Sequence, residues 1–147
     1  MTKNFYLHIA TAILISVLGV SANAQSRNRQ ELKVSVPFAF NVGNTELPAG
    51  DYNVRVINPA SANSVLQFAS VDGKSTILIR TTDVEGWAKS TARLTFRHYG
   101  SQYFLAQIWM ASESTGFGTP NSSSEKNLRR QLGKAAKNVD LVAVNAQ

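Results

Sequence analysis

From Glu31 onward the chain takes a period of two. Leu32, Val34, Val36, Phe38 and Phe40 alternate with Lys33, Ser35, Pro37 and Ala39. Side chains of an extended strand point alternately to opposite faces, so this pattern specifies a strand with one buried and one wet face. Pro37 cannot donate to a ladder, which predicts a sheet edge or a bend there. Gly43-Asn44 and Leu47-Pro48-Ala49-Gly50-Asp51 are turn signals, the second with proline presetting φ and glycine free to take φ > 0. Tyr52, Val54 and Val56 then form a second alternating run.

Two hairpins have readable registers. Asp72-Gly73 suits a two-residue type I′ turn and pairs Phe68 with Ile77 and Leu66 with Ile79. Gly100-Ser101 suits type II′ and pairs Phe96 with Leu105 and His98 with Tyr103, with Leu94 and Trp109 extending that face. The opposite face carries Arg93, Thr95 and Arg97 against Phe104, Ala106 and Ile108. It is half apolar, which predicts a covering element.

Thr81 to Lys89 and Ser112 to Ser124 read as connections, the latter rich in Ser, Gly, Thr, Pro and Asn. Ser122-Ser123-Ser124-Glu125 matches a capping box, with Ser122 as cap and Glu125 reaching back. Leu128, Leu132, Ala135, Ala136 and Val139 then recur at helical spacing, predicting an amphipathic helix near 122–138. Its apolar arc is expected to dock around Phe104 and Ile108. Asp140 to Val144 is a last strand-like run.

The start of the chain reads as an address. Lys3 precedes an almost wholly apolar stretch from Ile9 to Val20, and Ala22-Asn23-Ala24 puts small residues where a signal peptidase reads. Residues 1–24 are expected to be a secretory signal peptide, too short for a comfortable membrane span. Removing them from the 147 leaves 123 residues, which suits one β-domain over 31–147 behind a flexible tail over 25–30. The mature protein is then periplasmic or extracellular, with no transmembrane segment. The chain has no cysteine, which excludes disulfides, thiolate zinc sites and a cysteine nucleophile. Its net charge is +6, and five cations lie between Lys126 and Lys137. Such local basicity does not point to nucleic acid.

Val36-Pro37-Phe38-Ala39-Phe40, Leu47-Pro48-Ala49-Gly50-Asp51-Tyr52 and Tyr103-Phe104-Leu105 resemble a group of small exported bacterial β-proteins of uncharacterised role. That group shares a VPFxF…LPAGxY…YFL pattern and a basic helical segment after a glycine-rich loop. The resemblance covers residues 34 to about 135. It implies a compact β-domain and life outside the cytoplasm, and transfers no catalytic residue.

Chemistry-bearing residues are sparse. His98 is the one histidine left after cleavage, with no acid in its strand to orient it. Asp83 and Glu85 would share a face in a strand, but a glycosidase needs its two carboxyls across a sugar. Neither a Gly-x-Ser-x-Gly elbow nor a phosphate-cradling glycine motif is present. Trp87 and Phe117, each beside glycine, are the candidates for a ligand or partner surface. Lys126, Arg130, Lys134 and Lys137 form the candidate face for an anionic envelope component or glycan. No catalytic residue, metal site or cofactor is assigned.

The expected fold is mostly β, an antiparallel sandwich or closed barrel of seven or eight strands with one C-terminal amphipathic helix. The expected role is an exported, non-enzymatic binding or structural protein of the cell envelope or exterior. A barrel-type carrier of a small apolar ligand is the alternative, and a glycan hydrolase stands behind both. A hollow interior lined by Phe and Leu would favour the carrier; a filled one favours the first reading.

Overall fold

The computed structural model describes residues 31–58, 63–133, 136 and 140–146. The expected signal peptide and N-terminal tail lie outside the described residues, as do Lys134 and Lys137. The elements are β1 (Glu31–Val36), β2 (Phe40–Val42), β3 (Thr45–Leu47), β4 (Gly50–Val56), β5 (Val65–Ser70), β6 (Thr76–Arg80), β7 (Thr82–Glu85), β8 (Arg93–Tyr99), β9 (Gln102–Trp109), β10 (Thr115–Gly118), α1 (Ser123–Leu132) and β11 (Asp140–Asn145).

They form two sheets. The first has the order β1-β4-β5-β6 and is antiparallel throughout. The second runs β11-β8-β9-β10-β7, with the β2–β3 hairpin added along β9. One edge of β9 is shared: Phe104 meets Asn41 of β2 in parallel, while Gln107 and Ile108 meet β10. The fold is a sandwich, and the closed barrel is not formed. β11, the expected closing strand, pairs with β8 and approaches β1 without joining its ladder.

The period of two explains the interior. Leu32, Val34 and Val36 of β1, Tyr52, Val54 and Val56 of β4, and Leu66 and Phe68 of β5 are all buried. They meet Phe40, Leu94, Phe96, Leu105 and Ile108 from the second sheet in one cluster. Full burial of an aliphatic or aromatic side chain contributes about 1.5–3 kcal/mol, so this layer dominates the stability. Pro37 ends β1 and the chain crosses to the second sheet, splitting the long alternation into β1 and β2. Tyr52 lies 1% exposed, and its hydroxyl donates to the Pro48 carbonyl over 2.6 Å. The Leu-Pro-Ala-Gly-Asp-Tyr turn is thereby tied to the strand it feeds, as tyrosine corners do in other sandwiches.

Both hairpin registers are as expected near their turns: Phe68 faces Ile77, Leu66 faces Ile79, Phe96 faces Leu105 and His98 faces Tyr103. Gly100 has a φ of 61°, as the glycine-first turn requires. The turn at Asp72-Gly73 is different. Type I′ needs positive φ at both central residues, but only Gly73 has it, and its amide donates to the Ser70 carbonyl. The register survives with a wider turn.

Three further expectations are corrected. The strands number eleven among the described residues, because the connections at 81–89 and 112–124 contain β7 and β10, which pair with each other. The helix ends at Leu132, where Gly133 takes a φ of 53° and its amide caps the Arg129 carbonyl. Trp109 is not on the core face. Thr95 pairs with Gln107 but Phe96 with Leu105, so Ala106 is an extra residue and a bulge. The slip turns Ile108, wholly buried, into the core and sends Trp109 to the outer face.

Candidate functional site

The outer face of the second sheet divides into a covered half and a half that presents Trp87. The covered half lies beneath α1. Leu128 and Leu132 pack with Tyr99, Phe104 and Ala136. Phe104 is the expected dock; Ile108 is not, having turned inward. Ser122 caps the helix by accepting the Glu125 amide. The carboxylate of Glu125 does not reach back to the cap. It lies 1% exposed and accepts from Arg97 Nε at 2.6 Å, Arg97 Nη2 at 3.0 Å and the Tyr99 hydroxyl at 2.9 Å. Arg97 Nη2 also donates to the Leu105 carbonyl at 3.1 Å. Burial pushes the Tyr99 phenol above its ordinary pKa, and its bond to Glu125 adds to that. This bidentate pair locks the helix orientation.

The sequence signal for that pair was the pattern on one face. Arg97 sits among apolar residues under a predicted cover, and Glu125 is the one acid in the covering helix. A buried guanidinium requires a carboxylate partner.

On the other half, Trp109 lies 5% exposed beneath glycines. A Cβ on Gly86 would sit 2.4 Å from its indole, and one on Gly116 would sit 2.7 Å away. The indole nitrogen donates to Gln107 at 3.1 Å, and the Arg93 guanidinium lies 4.9 Å from the ring centroid. The segment after Gly86 is tied down twice: the Gly86 amide donates to Ser114 and the Ser112 amide to Lys89. Trp87 follows directly and is 88% exposed. One indole is buried under a backbone that displays the next.

The other candidates fall as follows. Phe117 is not a surface residue of a loop: it lies in β10 opposite Ile108 and packs, half-buried, against the main core. Lys126 and Arg130 are exposed on α1, joined by exposed Arg129. His98 stacks on Tyr103 at 4.3 Å, and Phe38 stacks on the same tyrosine at 3.9 Å. Asp83 and Glu85 do share one side of β7, both exposed, side by side on one strand. Among the described residues no three His, Cys, Asp or Glu side chains gather as a metal site, and no helix is long and apolar enough to cross a membrane.

Fold and surface together define a two-sheet β-sandwich carrying one ion-paired helix and one displayed tryptophan. No family model matches the chain, nor does any curated protein or solved structure.

Proposed function

We propose that the chain is an exported, non-enzymatic protein of the cell envelope or exterior, and that it binds a glycan or another ring-bearing envelope component through Trp87. The observation that carries this is an indole 88% exposed on a backbone braced from below. An exposed indole offers a flat apolar face to a sugar ring, and a braced backbone spares the ordering cost of binding. Lys89, exposed two residues along, suits an anionic glycan. The leader-like residues 1–24 and the family resemblance support export.

The filled interior supports a binding or structural role over a carrier. Phe40, Phe68, Phe96, Leu66 and Leu94 occupy the space that a carrier would leave for its ligand. Two hollows among the described residues, of about 400 and 480 Å³ around Asp51 and Val71, open to the surface and do not enter this layer.

The test is co-sedimentation of the mature chain with insoluble, acidic envelope polysaccharide. Trp87→Ala should abolish co-sedimentation and leave the unfolding midpoint unchanged, because the ring stabilises little where it stands. Lys126→Glu with Arg130→Glu should matter only if the helix face joins the contact. Polysaccharide binding that survives Trp87→Ala would overturn the proposal.

A further inference from the structure

The structure leaves one sheet edge that is matched to itself, and we infer that the mature chain forms a two-fold dimer by pairing β6 with β6 of a second copy. β6 pairs on one side only, with β5. The Thr81 amide donates to Ser64 and Ser70 donates to Ser75, which fixes the phase of that ladder. Ile77 and Ile79 therefore turn their backbone groups toward β5. Thr76, Leu78 and Arg80 turn theirs outward, where no partner stands among the described residues.

A two-fold axis through Leu78 pairs these groups completely. Thr76 meets Arg80 of the second copy, Leu78 meets Leu78, and each such pair exchanges two backbone hydrogen bonds. Ile77 falls beside Ile79 on the core side. Leu78, 62% exposed in the single chain, is covered by its own counterpart. Arg80, the one charge in the strand, lies opposite threonine and never opposite another arginine. An isologous contact of this kind closes on itself and does not propagate.

The other edges among the described residues are guarded, that of β3 by Glu46, and this one is not. β1 carries Glu31 and Lys33 and ends at Pro37, and β7 carries Asp83 and Glu85. β11 approaches β1. Charges, proline and covering chain are the means by which sheets avoid edge pairing. β6 instead offers Ile77-Leu78-Ile79 at its centre.

The absence of cysteine makes the register testable. In a directly opposed, hydrogen-bonded pair the two Cα atoms lie about 5.5 Å apart, within reach of a disulfide. Leu78→Cys should give a covalent dimer under mild oxidation. Thr76→Cys should not, because its two copies stand about four residues apart along the strand, or ~13 Å. The unmodified mature chain should sediment at twice its monomer mass. Leu78→Pro should sediment as a folded monomer, since its lost amide faces outward. If that variant does not fold, Leu78→Lys serves in its place. A monomeric parent chain, cross-linking by both or neither cysteine variant, or a dimer that persists in the folded Leu78 variants would each overturn the inference.

Discussion

Glu125 shows how one residue can hold two elements together. Its amide completes the helix cap and its carboxylate holds the sheet, through Arg97 on one side and Tyr99 on the other. A buried carboxylate in this position is stable only while paired, so removing it leaves Arg97 facing an emptied, mostly dry site. Glu125→Ala should destabilise the protein by about 3 kcal/mol, the low end for a broken buried pair because Arg97 retains 17% side-chain exposure. The double change Arg97→Met with Glu125→Leu should recover much of that loss, since an apolar pair of similar size needs no compensation. Urea unfolding of both variants measures it; a loss below about 1 kcal/mol for Glu125→Ala would mean that the pair is idle. The local pattern around Ser122 made the cap legible. It could not show that the carboxylate would be drawn away, because the competing partner lies 28 residues back, on another element.

Elements were legible wherever local pattern and tertiary demand agree. β1, β4 and the two hairpins have side chains that alternate and turns whose chemistry matches. β10 is the contrary case. Thr-Gly-Phe-Gly reads as a loop because glycine is poor in strands, yet the strand exists because the Trp109 indole fills the space a Cβ would take. The bulge at Ala106 hid this, since a one-residue slip moves every later side chain to the other face. Phe117 was misplaced for the same reason: once Ile108 faces inward, so does its partner in β10. Gly116→Ala should therefore cost about 1–3 kcal/mol by overpacking, as both the indole and the Ile108 carbonyl lie within 3 Å of the added carbon. Gly73→Ala, in open space, should lose only what its positive φ demands. A Gly116 variant as stable as the parent chain would show that the glycines are not there to admit Trp109.

At the scale of the whole molecule, sandwich and barrel could not be told apart from strand patterns. Closure depends on whether β11 pairs with β1 and β6 with β7, and no local residue states either. What the assembled molecule does dictate is an alkaline limit to its stability. Two buried phenols report from opposite layers. Tyr52 lies in the core of the first sheet, its hydroxyl bound to the Pro48 carbonyl. Tyr99 lies under α1, bound to Glu125. Burial is the main reason that both titrate above the ordinary tyrosine value of 10.0, with Asp72 adding to the effect on Tyr52 and Glu125 to that on Tyr99. Below about pH 10 both phenols are protonated in the folded and unfolded chains, and their full contribution is present. Above it the unfolded chain releases their protons first and binds fewer than the folded one, so stability falls as pH rises. The fall continues until the folded phenols ionise as well. Denaturant midpoints of the parent chain should drop steeply above pH 10. The double variant Tyr52→Phe with Tyr99→Phe should start lower, having lost two hydrogen bonds, and descend with a shallower slope. Since lysines titrate in the same range in both proteins, only the difference in slope carries the test, and identical slopes would refute the assignment to these phenols.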